Sequence, residues 1–403
     1  MQGWDVYKES SIGYLHQLLL TSISLSLSLS LSLSLSLSIA MLGKQAKMHI
    51  LLSLLLTASL ATSQSVWKKR LTGEDLDTGH RWAVAGTDLG IPYTLENGAI
   101  GFLFGDTFSI QSPDNGQGWR SPVLLRSASK PSSKDGIVFD SAAGVPKEHD
   151  QPAPEITHNG HQGPDHADGS GPNEYSVIPN DGISFPETGE QFVSYMSIQH
   201  WDPSPWKTNY AGLARSTDGN RFERLDGAHW ANSPANDDPY QMWTMQRDGD
   251  YVYVFSVRSG RQQTPVLLQR VRWDKLVDKA AYEGWGWNGK DWGWGRPATA
   301  LFEGTIGEPS VRKLRDGTWA MVYLNLDGDG RIVSRTAAGP DQPWSEEKVQ
   351  VTSQQEKNLY GGFIHPWSTS KENDLHIMVS KWERTPDGKS TTAYHVSQYD
   401  GTL

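Results

Sequence analysis

The chain has 403 residues, no cysteine and a formal net charge of −10, from 36 Lys and Arg against 46 Asp and Glu. The missing cysteine excludes disulfides and thiolate metal sites, and the acidic balance gives no electrostatic reason to bind nucleic acid or an anionic membrane. Forty glycines, 22 prolines and 17 tryptophans fit many short strands joined by tight turns, with aromatic side chains to spare for a polar ligand.

In chain order, residues 1–40 read as a low-complexity leader outside the native protein. Residues 24–38 alternate Ser and Leu without a break, as a translated CT dinucleotide repeat would. Residues 41–63 read as a secretory signal peptide. Lys44 and Lys47 form its basic region, Ile50 to Leu60 its apolar core, and Ala61-Thr62-Ser63 its small-residue cleavage site. The apolar core is short for a bilayer span, so a secreted, extracellular protein is expected. It would run from 64 to 403 as one domain.

The first folded stretch, "GTDLGIPYTLENGAIGFLFGDTF" (86–108), carries two aspartates in small-residue frames, Asp88 and Asp106. Asn97 lies midway between them. A hairpin loop centred on Asn97 would make them cross-strand partners on one face. A two-residue Asn97-Gly98 turn would shift the register by one and set them on opposite faces. The neighbours Phe102, Phe104 and Phe108 suggest that Asp106 is desolvated and acid-like. Glycines on both sides of Asp88 suggest that it stays ionised. Two carboxylates in different environments can perform glycoside hydrolysis; two turn aspartates capping strand ends are the plain alternative.

Further along, Trp119 and Arg120 follow the second aspartate by one short loop. The segment 147–175 reads as a long surface loop. It carries His149, His158, His161 and His166 with Asp165 and Asp168, a set more consistent with a solvated loop than with a metal site. Neither a metal nor another cofactor is expected. Glu174 and Glu308 are candidate third carboxylates. Gln241 and His365 are candidate hydrogen-bonding groups from other parts of the fold, with a core histidine the commoner outcome for His365. Trp201 and Trp206, and Trp285, Trp287, Trp292 and Trp294 in "GWGWNGKDWGWG", are either stacking platforms for sugar faces or buried plugs. Only residues 273–284 look helical.

One pattern recurs: a polar turn, then apolar residues alternating at period two. It appears at 96–106, 187–198, 247–257, 315–325 and 372–382. The spacing suits five units of four short strands, hence an all-β, five-bladed β-propeller. "STDGNRF" (216–222) resembles the Asp-box turn of propeller blades. A β-sandwich with long insertions is the competing architecture.

A set of strings then aligns in order: "GTDLG" (86–90), "FGDTF" (104–108), "GWRSP" (118–122), "NEYSVIPNDGI" (173–183), "GLARSTDG" (212–219), "GRQQTPVLLQRV" (260–271), "AYEGW" (281–285), "GEPSV" (307–311) and "LYGGFIHP" (359–366). Together they resemble the endo-D-arabinanase family of glycoside hydrolases, a domain long labelled as of unknown function. The resemblance covers nearly everything from about 80 to 400. It implies a five-bladed propeller that hydrolyses α-linked D-arabinofuranose chains, with Asp88 and Asp106 as its essential aspartates. The expected partner is an arabinan-type polysaccharide, bound by a monomer. A furanosidase or arabinanase of other specificity, or a sugar-binding propeller without catalysis, are the alternatives.

Overall fold

The computed structural model describes residues 65–111, 114 and 116–403, so the segments read as leader and signal peptide (1–40 and 41–63) lie outside the described residues. Five antiparallel sheets form the five blades of a β-propeller. From the innermost strand outward, blade one uses 86–94, 100–108, 123–127 and 141–142. Blade two uses 176–185, 190–200, 207–216 and 223–231. Blade three uses 242–248, 251–257, 267–272, 283–287 and 292–294. Blade four uses 303–313, 319–325, 331–337 and 348–352, with a short extra strand, 263–265, along the inner edge of 303–313. Blade five uses 359–364, 375–384 and 391–401, and its outermost strand is the N-terminal one, 65–70, paired with 391–401. The first and last parts of the fold therefore close the ring within one sheet.

The recurring sequence pattern marks the same element in every blade, the turn into the second strand. Gly98, Gly189, Gly249 and Gly317 adopt positive φ in these turns, and Asn373 does so in the fifth. Asn is the residue other than glycine that tolerates this conformation best. The second strands are apolar almost throughout because they are buried on both faces: Ile100 to Gly105, Gln191 to Ile198 and Trp319 to Asn325 are buried at every position. A blade interior is covered on each side by its neighbours, so it lacks the solvent face that would impose strict alternation. The outermost strand 223–231 is by contrast mostly exposed.

Near the ring axis, Arg312 of the innermost blade-four strand ties four blades together. Its guanidinium donates to both carboxylate oxygens of Asp181 in blade two (2.7 and 2.8 Å) and to the Pro92 carbonyl of blade one (2.7 Å). Asp181 in turn accepts from the Thr244 hydroxyl and the Met245 amide of blade three.

Two local expectations change. Residues 273–284 hold only two 3-10 turns, Trp273–Lys275 and Lys279–Ala281, and then enter the strand Glu283–Trp287, whose Gly-Trp alternation suits a strand edge. Among the described residues the one short α-helix, Asp77–Trp82, comes earlier. The 147–175 segment is anchored between blades one and two rather than lying loose on the surface. Ala153, Ile156, Asn159, Asp165 and Glu174 are buried, and the Ala153 and Ile156 amides donate to the carbonyls of Trp82 and Pro122.

Candidate active site on the propeller axis

A pocket of about 50 Å3 is lined by residues from the innermost strands of all five blades. Asp88, Leu89 and Ile91 come from blade one, Asn180 from blade two, Met242 and Trp243 from blade three, Glu308 and Pro309 from blade four, and Phe363 from blade five. Asp106, from the second blade-one strand, also lines it. So do Arg261, in the connection between blades three and four, and Trp201 and Trp206, which meet edge to face at 5.4 Å.

Strand irregularities build this lining. Register breaks fall between Thr87 and Leu89, Pro179 and Asp181, Gly307 and Ser310, and Gly361 and Phe363. Each break contains or adjoins a lining residue. A bulge bends its strand and re-aims the side chain beside it. Leu89 (φ 65°), Arg261 (φ 51°) and Glu308 (φ 34°) have backbone conformations unusual for residues other than glycine.

The hairpin that carries both aspartates closes through residues 95–99, with Asn97 at the centre. Thr87 faces Thr107 across the strands and their hydroxyls bond at 2.7 Å, so Asp88 and Asp106 both reach the pocket. Gly105 is needed for this arrangement, because a Cβ there would lie 2.4 Å from Asp88 Oδ1.

Their environments differ from what the neighbouring residues in sequence suggest on one side: Asp106 is desolvated as expected, but so is Asp88. Asp106 Oδ1 accepts from the Trp119 indole (2.7 Å) and the Ser176 hydroxyl (2.8 Å). Burial raises the Asp106 pKa, while these two donors and nearby His161 oppose the rise. Asp88 Oδ2 accepts from the Tyr360 hydroxyl at 2.9 Å, whereas Oδ1 is buried and no donor reaches it, although Tyr394 stands near enough to favour the charged form. Burial, and then the charge of Asp106, push the Asp88 carboxyl up to about 7. The phenylalanines beside Asp106 in sequence belong to the blade core, and the glycines around Asp88 bring in side chains instead of water.

Trp119 therefore acts on the site through Asp106, and its ring packs edge to face on His161 at 4.7 Å. His161 in turn bonds Glu155, which accepts from the Ser121 amide. Trp119 and His161 of this contact chain were named from sequence, but Glu155 was not, nor were Ser176, Tyr360, Arg261 and Asn180. Those residues reach the site from distant segments, and only backbone pairing shows it.

Four other candidates are held away from the pocket. Arg120 donates to the backbone carbonyls of Trp82, Ala83, Gly118 and Ala153, so it clamps loops and has no free donor face for sugar. Glu174 is fully buried and bidentate with Arg224. Gln241 is buried among Thr208, Asp238 and the Trp230 carbonyl, and its own carbonyl orients Asn180. His365 is a buried core histidine against Phe102 and Trp367, with its pKa driven well below the usual value by burial. The Trp285/Trp294 and Trp287/Trp292 pairs form the outer hairpin of blade three, away from the axis. Among the insertion's acidic and histidine residues, Asp165 is committed to Tyr210 and His166. Among the described residues no three His, Asp or Glu side chains gather as a metal-holding group.

Comparison with known proteins gives the relationships. The chain is 55% identical over 362 residues to notoamide biosynthesis cluster protein J' of Aspergillus versicolor, covering 88% of this chain and 98% of that one. It is 26% identical over 314 residues to an uncharacterized 35.9 kDa protein in the asd 3' region of Mycolicibacterium smegmatis, covering 73% and 86%. Among solved structures, a putative hydrolase from Bacteroides ovatus superposes with a TM-score of 0.53 at 15% identity, covering 83% of this chain and 87% of that one, a likeness of fold alone. The family described as a domain of unknown function, DUF4185, matches residues 74–400, and the chain belongs to it.

Proposed function

We propose that this protein is a glycoside hydrolase that cleaves furanosidic linkages, with D-arabinan as its substrate. The observation that carries the reading is one pocket on the propeller axis lined by two carboxyls in unequal environments. Asp88, with its pKa near 7, is the general acid that donates its proton to the departing glycosidic oxygen. Asp106, held by two donors on one oxygen, is the ionised partner. It either attacks the anomeric carbon or takes a proton from the water that does so. In each case the C–O bond breaks, the leaving sugar departs with the Asp88 proton, and water supplies the new hydroxyl. Trp201 and Trp206 present indole faces to the sugar rings. The strings shared with the endo-D-arabinanase family support the substrate. Residues 41–63 are in this reading a secretory leader, and the protein acts outside the cell as a monomer.

A second reading, action on a small hydroxylated metabolite, draws support from the relative in a biosynthesis cluster and from a pocket with room for roughly three or four waters.

The test is incubation of protein beginning at residue 64 with mycobacterial arabinogalactan, beside Asp88→Asn and Asp106→Asn. Oligosaccharide release by the parent, reduced at least 1,000-fold in both variants, is expected. A folded parent that releases nothing removes the D-arabinan assignment. Cleavage of aryl furanosides without polymer cleavage would favour the small-substrate reading.

A further inference from the structure

Glu308 stands on the blade-four bulge, next to Pro309, with its side chain nine-tenths buried. The Arg261 guanidinium has a fork that can span both oxygens of a carboxylate. Here its Nε and Nη2 both reach the same oxygen, Oε1, at 2.7 Å. Oε2 is buried and accepts no hydrogen bond. Leaving a buried acceptor unmade is costly, more so when it is charged. Glu308 and Asp88 line one pocket, and the unmade acceptor on Glu308 indicates a ligand that brings a donor.

The chemistry of that ligand follows from what surrounds them. Arg261 already balances the Glu308 charge, Asp106 in the same pocket is held by Trp119 and Ser176, and among the described residues no three His, Asp or Glu side chains gather to hold a cation. The remaining lining is largely apolar and aromatic, Trp201, Trp206 and Phe363 among it. Hydroxyl donors on a ring with C–H faces satisfy both features.

We infer that Glu308 is a specificity-determining residue whose Oε2 accepts a hydrogen bond from a free ring hydroxyl of the bound sugar, so that a unit substituted at that oxygen is rejected. This rests on the glycosidase reading for its setting and adds the selection rule: the site takes unbranched, unacylated residues.

The test is calorimetric binding of methyl glycosides of D-arabinofuranose, L-arabinofuranose and galactopyranose, each with its singly deoxy and O-methyl forms. The proteins are Asp106→Asn and Asp106→Asn with Glu308→Gln. One hydroxyl should matter tenfold or more in the first protein and less than twofold in the second. Equal losses in both, or no sugar bound by the first, overturn the inference. Calcium ions that bind the parent and not Glu308→Gln also overturn it, by making the acceptors a cation site. If the parent leaves D-arabinan uncut while the hydroxyl dependence appears with another sugar, the proposed substrate fails and this inference stands. Should Glu308→Gln not fold, Glu308→Asp, which keeps the charge and withdraws it by one methylene, is read the same way.

Discussion

Asp88 shows how a single residue trades stability for chemistry. Its carboxyl titrates near 7 in the folded protein, against 3.8 for the free side chain. The folded state therefore holds the proton more tightly, and stability falls as pH rises from about 4 through 7. Asp88→Asn removes that cost. Thermal melting should show a gain on the order of 2 kcal/mol at pH 8, below the roughly 4 kcal/mol that an undiscounted shift would imply, and almost none at pH 4. Equal melting gains at both values would remove desolvation as the cause. Tyr360 acts in the other direction, because its hydroxyl supports the ionised form. Tyr360→Phe should move the alkaline limb of the rate profile upward by about half a unit to one unit, the loss of a hydrogen bond to a charge. A downward shift would contradict Asp88 as the acid.

At the scale of elements, the site depends on interruptions of regular structure. Four of the five innermost strands break register beside the pocket, and each has Gly or Pro in or next to a break: Gly90 in a second blade-one break, between Leu89 and Ile91, then Pro179, Pro309 and Gly361-Gly362. The insertion 147–175 is a second such element. It is pinned by the buried pair Glu174 and Arg224, which also bonds the His158 and Asp165 carbonyls. Glu174→Ala leaves that guanidinium buried and unpaired and should cost about 3–5 kcal/mol. Limited proteolysis is the check, with cleavage expected first within 147–175. Initial cleavage elsewhere would show that the pair does not anchor the insertion.

For the whole molecule, ring closure and the axial pin decide whether five sheets behave as one body. Strand 65–70 completes blade five, so the two ends of the fold share one sheet. Arg312 joins blades one to four through Asp181 and backbone carbonyls. Arg312→Met strands the Asp181 charge in the centre and should lower stability by about 3–5 kcal/mol, measured by denaturant unfolding. Adding Asp181→Leu to it should recover much of the loss, since an apolar replacement of both partners has no stranded charge. No recovery would mean that the backbone bonds of Arg312 matter more than the ion pair.

The repeated turn-and-strand pattern marked five units of an all-β fold, because each second strand packs in a blade interior, and the five separate sheets then decided for a propeller over a sandwich. The aspartate spacing around Asn97 narrowed the pairing to two registers, and the loop 95–99 in the structure chose the one centred on Asn97. Residue types also marked Glu308, Trp201 and Trp206, which line the pocket. What the tertiary structure alone decided were the environments. Arg120, Glu174, Gln241 and His365 have the chemistry of site residues and are spent on internal contacts, whereas Arg261, Tyr360 and Ser176 arrive at the site from other parts of the chain. The balance between Asp88 and Asp106 is set the same way. A carboxyl's proton affinity depends on the donors and low-dielectric surroundings that meet it in space, and those come from residues up to 272 positions away.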